Sequence, residues 1–209
     1  MAVAEYRLFF NDRAVTRALL DRVEEITVQQ AVNKAWEARL TLPSYTNARG
    51  VWQNENEESM DEFGRARVEI KVSGGSYVPL IDGPIVGRDN NRSSQPGESM
   101  LTLIVHDDSV FLNRQVDLAV HETMLDHEVA ETLFEAVAEI KSMEIDSTLP
   151  PTDNLPPTVV QRGTAMHMLR ALACRQGLHV YVLPGRDPGR SIGCFKALPI
   201  ERTGYPPLI

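Results

Sequence analysis

Trp36, Ala38, Leu40 and Leu42 alternate with Glu37, Arg39 and Thr41, a period of two that predicts a strand with one apolar face turned to a core. The same alternation recurs at Ile26 and Val28, and at Leu101, Leu103 and Val105. It recurs again at Val68, Ile70 and Val72, with Arg67, Glu69 and Lys71 on the polar side. Ser73-Gly-Gly-Ser76 and the run from Asp89 to Gly97 separate these segments with residues that favour turns. The first half is therefore expected to fold as several short antiparallel strands, and a small barrel or sandwich would protect their edges.

From residue 126 the period changes. Asp126 is placed to cap a helix in which Val129, Leu133, Val137 and Ile140 form one apolar stripe, while Glu128, Glu131, Glu135 and Glu139 face outward. The segment from Leu149 to Pro157 holds four prolines in nine residues and can continue neither a helix nor a central strand, so it reads as a linker or extended crossover. Thr164 then opens a second helix, with Met168, Leu169, Leu172 and Ala173 on one side and Gly177 at its C-terminal turn. Leu178 to Leu183 return to strand, Gly185 to Gly189 turn, and Ile192 to Ala197 complete a hairpin.

Composition narrows the class. A hydrophobic content of 43% in 209 residues supplies a packed core, and argues against disorder. The 21 basic and 29 acidic residues give a formal charge of −8 without any basic run, which opposes direct nucleic-acid recognition. The first ten residues lack the basic leader of a signal peptide, and no apolar stretch approaches the length of a transmembrane segment. Two cysteines, Cys174 and Cys194, do not suggest a disulfide scaffold, so synthesis in a reducing cytoplasm is expected.

Candidate chemistry fails on spacing. His121 and His127 are each followed by glutamate, which invites comparison with the H-E-x-x-H zinc site. Six residues separate them, however, which puts them about 120° apart around a helix and prevents one helical face from offering both to a metal. His167 and Cys174 share nearly one helical face but rise about 10.5 Å apart, too far for a base to reach a thiol. Ser73 to Ser76 lacks the following helix and lysine of a phosphate loop, and the acidic stretch from Glu55 to Glu62 lacks the glycine of a calcium loop. No catalytic, cofactor-binding or metal residues are therefore assigned, and a metal or cysteine hydrolase is the disfavoured enzyme reading.

The order of the pieces is more informative. The strand Lys34-Ala-Trp-Glu-Ala-Arg-Leu-Thr-Leu42, the segments Asp61 to Ile70 and Leu80-Ile-Asp-Gly-Pro-Ile-Val-Gly87, and Ser99 to Asp107 follow one another along the chain. Then Val160 to Val182 runs from a glutamine and a threonine into a helix, a glycine and an aromatic strand. In this order the chain resembles the baseplate or tail hub family that includes phage late control protein D, VgrG of type VI secretion, and hub proteins of extracellular contractile injection systems. The resemblance spans nearly the whole chain.

The resemblance implies a mainly β fold with an α+β part: a tube-like antiparallel β-barrel followed by a small α/β domain. The barrel is expected over residues 1–125 and the α/β hub domain over 126–198, with the proline-rich connection at 149–157. Residues 199–209 would begin a return to a second barrel, so the chain is expected to be short of a complete hub. The function implied is a structural one, without an enzyme activity or cofactor. A homotrimer would present six barrel positions to a sixfold inner tube protein and meet a spike protein and other baseplate proteins, assembled in a phage tail or injection particle. The alternative is a β-rich adhesion or ligand-binding domain with a concave site.

Overall fold

A computed structural model describes residues 4–31, 34–50, 52, 60–95, 97–150 and 158–198. Seven strands of the first half form one antiparallel sheet. They are β1 (Ala4–Phe10), β2 (Arg13–Ala14), β3 (Glu25–Gln29), β4 (Glu37–Pro43), β5 (Arg65–Val72), β6 (Val78–Asn91) and β7 (Met100–His106), in the spatial order β2-β1-β5-β6-β7-β4-β3. The sheet curls into a half barrel. Its fourth strand in that order makes the curl: β6 pairs with β5 through residues 78–84 and with β7 through 85–91, so a single strand serves two walls. Each pairing has one extra β6 residue, Leu80 and Val86, and such bulges bend a strand. At the corner, a Cβ on Gly83 would lie 1.9 Å from the His106 carbonyl oxygen, so only glycine permits the crossing.

Ala38, Leu40 and Leu42, together with Leu101, Leu103 and Val105, are fully buried on the inner face, as their alternation predicts. Val68, Ile81, Ile85, Leu8 and Phe10 complete this core. Ser73 and Gly74 take successive positive φ angles of 48° and 78°, and Gly75 N–H donates to the Val72 carbonyl, so the expected turn between β5 and β6 is the one formed. The expectation for the polar side of β5 is overturned: Arg67 and Glu69 are 1% and 7% exposed. The period of two holds, but the outer face of the strand is covered by a loop from the second half.

That second half contains a two-stranded ribbon, β8 (Val116–Glu122) antiparallel to β10 (Thr158–Thr164), and a three-stranded sheet. In the latter β11 (His179–Pro184) pairs antiparallel with β12 (Ser191–Lys196), which pairs parallel with β9 (Ile140–Ile145). Two helices, α3 (Asp126–Glu135) and α4 (Ala165–Gln176), pack on it around Val129, Phe134, Leu169, Leu172 and Phe195. The pattern places β8 with β10 rather than in the seven-stranded sheet. Two four-residue helices, α1 (Arg17–Leu20) and α2 (Ser109–Leu112), complete the described elements.

Helix α4 begins and ends as expected, with the Thr164 hydroxyl accepting from His167 N–H at 3.2 Å and Gly177 at φ 68°. Helix α3 differs in both ends. Its cap is Leu125, whose N–H donates to Glu128 Oε2 at 2.6 Å, and Asp126 is already helical. The Asp126 carboxylate is instead taken by α4, from Arg175 Nε at 2.6 Å and Gln176 Nε2 at 2.7 Å. The helix also stops at Glu135, where bonds from Val137 to Phe134 and from Ile140 to Val137 tighten the chain into a turn. Val137 and Ile140 are buried as the apolar stripe implied, but from that turn and from β9. Phe134 lies over Gly193 of β12, where a Cβ would come within 2.7 Å of the ring. Of the proline-rich connection, residues 151–157 lie outside the described residues.

Burial works to raise the Asp126 pKa, but the Arg175 and Gln176 bonds outweigh it and hold the carboxyl below its ordinary value. A depressed carboxylate contributes stability that is present above its unfolded pKa and is lost as pH falls through its folded value. Asp126→Asn is therefore expected to lower stability at pH 7 and to converge on the parent well below pH 4. Urea unfolding of both proteins at pH 7 and pH 3 checks this, and an equal gap at the two pH values would contradict it.

Candidate functional site

Two guanidinium groups lie side by side where the half barrel meets the second half. Arg65 and Arg67, at alternate positions of β5, both point to its outer face. Arg65 donates to Asp108 (Nη1 to Oδ1, 2.9 Å; Nη2 to Oδ2, 3.0 Å) and to Asp82 Oδ1 (2.8 Å). Arg67 donates to Asp82 Oδ2 at 3.0 Å and to Glu69 Oε1 at 2.8 Å, then crosses to the β11–β12 loop. There it meets the carbonyls of Arg186 at 2.8 Å and Asp187 at 3.2 Å.

The loop returns the contacts. Gly189 N–H donates to Asp82 at 2.9 Å and the Ser191 hydroxyl to Asp108 at 2.7 Å. Gly189 has φ 70°, and a Cβ there would fall 2.8 Å from an Asp12 oxygen, so the loop needs glycine to approach. Asp82, Asp108 and Arg67 are almost fully buried. Burial would strip charge from Arg65, but the bonds and charges of Asp108 and Asp82 outweigh it and hold the guanidinium firmly protonated. Burial raises the pKa of Asp108 despite its bonds to Arg65 and Ser191, and does the same to Asp107, which accepts from Trp36 N–H at 2.7 Å. Chemically the cluster is a clasp: each of its guanidinium and carboxylate groups is tied to an opposite charge or to the loop.

The residues considered for catalysis lie apart from this cluster. His121 is on β8, whereas His127 is in the first turn of α3, where its Nδ1 accepts from Thr148 N–H at 3.2 Å. His167 begins α4 and Cys174 lies near its other end. Ser73 to Ser76 form the hairpin turn between β5 and β6. Most of the acidic stretch from Glu55 to Glu62 lies outside the described residues, and its Asp61 pairs with Arg88 at 3.1 Å. Among the described residues, no three His, Cys, Asp or Glu side chains gather to hold a metal ion.

The two thiols differ in access. Cys174 is exposed, while Cys194 is buried in β12 and burial pushes its pKa up to about 11. A disulfide-forming reagent at pH 8 is therefore expected to titrate one thiol per native chain rapidly, and Cys174→Ser to abolish that phase. Two fast thiols in the parent would contradict the burial of Cys194.

Among the open surfaces, two are mainly apolar and bear on function. A cleft of about 430 Å³ on the barrel side is lined by Tyr6, Val23, Ile26, Val28, Ile70 and Leu80. The ribbon of β8 and β10 shows Val116, Leu118, Val120 and Val160 to solvent. Neither the clasp nor the ribbon was foreseen from the sequence: Arg67 reads there as an ordinary member of the polar side of β5, and the alternation of Val116, Leu118 and Val120 is the signal that could have found the ribbon.

No protein-family model matches the chain, and no curated protein matches it by sequence. Solved structures do. The 43 kDa tail protein of prophage MuSo2 from Shewanella oneidensis is 13% identical with a TM-score of 0.59, over 91% of this chain and 53% of that one. A tail protein from Neisseria meningitidis MC58 is 14% identical with a TM-score of 0.53, over 91% of this chain and 51% of that one. An E. coli component of the type VI secretion system, described as similar in structure to the bacteriophage T4 tail proteins gp27 and gp5, is 10% identical with a TM-score of 0.53 (88% and 48% covered). The chain thus has the fold of phage tail proteins and of their type VI secretion counterparts. It spans about half the length of these structures.

Proposed function

We propose that this chain is a structural component of the baseplate hub of a contractile tail or injection system, adapting a sixfold tube to a threefold hub and spike. The observation that carries this reading is the match in fold to phage tail proteins over 91% of the chain, which takes in most of both the half barrel and the α/β part. The half barrel suits the role because its end strands β2 and β3 each have one edge without a paired strand among the described residues. Such edges accept strands from neighbours. The buried clasp fits it too, since the bonds of Arg67, Asp82 and Asp108 to the β11–β12 loop fix the α/β part against the barrel sheet.

In this reading residues 1–125 contribute the tube-like barrel, its sheet closing with β7 while β8 joins β10, and 126–198 the rest of the α/β hub domain. Three copies form the hub, and their partners are the inner tube protein, the spike and other baseplate proteins, within a phage tail or injection particle. The role is not enzymatic. No helix among the described residues is long and apolar enough to cross a membrane. Co-expressed with the tube and spike proteins of its own particle, the chain is expected to associate with the tube protein, and a product that also carries a second barrel to purify with both as a threefold complex, visible by electron microscopy as a cap on the tube. Failure to co-purify with either protein, with all three soluble, sinks the hub reading.

The apolar cleft sustains the ligand-binding alternative. Saturable binding of an apolar dye, abolished by Ile70→Asp and unaccompanied by any association with tube protein, would favour that alternative over the hub.

A further inference from the structure

The ribbon and the half barrel each leave one mainly apolar surface uncovered, and the two surfaces differ in charge. The ribbon turns Val159 and Gln161 to its packed side, while Val116, Leu118, Val120 and Val160 are 75%, 78%, 57% and 45% exposed on the other. Strand register arranges that open face in rows: Val116 with Thr164, Leu118 with Arg162, Val120 with Val160, and Glu122 with Thr158. Arg162 is its cation, exposed and without an ion pair among the described residues. The barrel cleft has the opposite sign. Glu24 and Glu25 stand beside Val23, Ile26 and Val28 in its lining, and no cation is among the described residues that line it. Both carboxylates are exposed, and neither pairs with a cation among the described residues.

We propose that the ribbon of one copy docks in the barrel cleft of the next, with Arg162 against Glu24 and Glu25 and the apolar rows over Ile26 and Val28. The contact rests on the threefold reading above and gives it its surfaces. A patch that fits itself closes as a pair, whereas a ring of three needs each copy to offer two different patches that fit one another. Ribbon and cleft are two such patches. The charges also fix the direction of docking. Glu122 lies four residues from the Arg162 row, about 14 Å along the strands. That exceeds the screening length of about 8 Å at physiological salt, so Glu122 stands clear of the acidic end of the cleft when Arg162 occupies it. Docking in the reverse direction would set Glu122 on Glu24 and Glu25. Each contact thus brings a cation to two carboxylates, in a chain whose formal charge of −8 opposes association elsewhere.

One ribbon face is smaller than the roughly 800 Å² per partner of a standard stable interface. The chain alone is therefore expected to form the ring at high concentration and to lose it on dilution, which makes cross-linking the suitable measurement.

In a Cys174→Ser background, Val116→Cys on the ribbon and Val23→Cys in the cleft are treated at high protein concentration with a short bifunctional maleimide. The expected product is a ladder that ends at the trimer, with no ladder from either single-cysteine variant. Arg162→Glu, or Glu24→Arg together with Glu25→Arg, is expected to cut the cross-linked yield at least tenfold. All three changes in one chain are expected to restore it, because the charges are then exchanged across every contact, and that recovery also shows the variants to be folded. The contact is overturned by the absence of a ladder, by a ladder running past the trimer, by equal cross-linking of a single-cysteine variant, or by exchanged charges that restore nothing. Any of these leaves the hub reading to its own co-purification with tube protein. Failure of that co-purification with the trimer ladder intact overturns the hub reading instead and keeps the contact.

Discussion

Arg67→Ala is expected to cost about 3–5 kcal/mol of stability, the range found when one partner of a buried ion pair is removed. The reason lies in what the guanidinium leaves behind. Asp82 and Glu69 are buried and would lose a cation each, while the carbonyls of Arg186 and Asp187 would lose the donors that hold the β11–β12 loop to β5. Lys71, two strand positions from Glu69, is the control. Its ammonium lies 3.4 Å from Glu5 at the surface, where solvent screens such a pair, so Lys71→Ala should be mild. Denaturant unfolding of the two variants supplies the comparison. Equal losses would mean that the cluster is solvated and does not clasp the two parts.

The second large effect is in the barrel. Leu40→Asp is expected to destabilise by on the order of 4–5 kcal/mol, because it puts an unpaired carboxylate among Leu42, Leu103 and Ile26 where exposure is nil. Glu37→Lys, on the same strand, should stay within about 1 kcal/mol: Glu37 is half-buried and pairs with Arg39 at 2.8 Å. Thermal or urea unfolding decides between them. Comparable shifts would place the wrong face of β4 in the core.

Much of the fold was legible because short-range chemistry specified it. Leu101, Leu103 and Val105 could satisfy their alternation only by facing one core, and Thr164 and Gly177 supply the two ends of α4 from their own side chain and backbone freedom. The resemblance drawn from the order of segments agrees with tail-protein folds, an agreement that no single motif could have carried.

What the sequence by itself determined, then, is which residues alternate, where the Ser73–Ser76 turn and the two ends of α4 fall, and that no histidine pair has metal-ligand spacing on a helix. The tertiary structure alone decided which of two equivalent faces is covered. A period of two says that Arg67 and Val68 point oppositely, but only the arrival of a loop from more than a hundred residues away buries Arg67 as well. The same period in β8 leaves Leu118 exposed, because its partner β10 packs through the other face. Asp126 shows the rule at a helix end: a carboxylate able to cap its own helix was taken by Arg175 of another, since two charged hydrogen bonds across the helix pair outweigh one local cap.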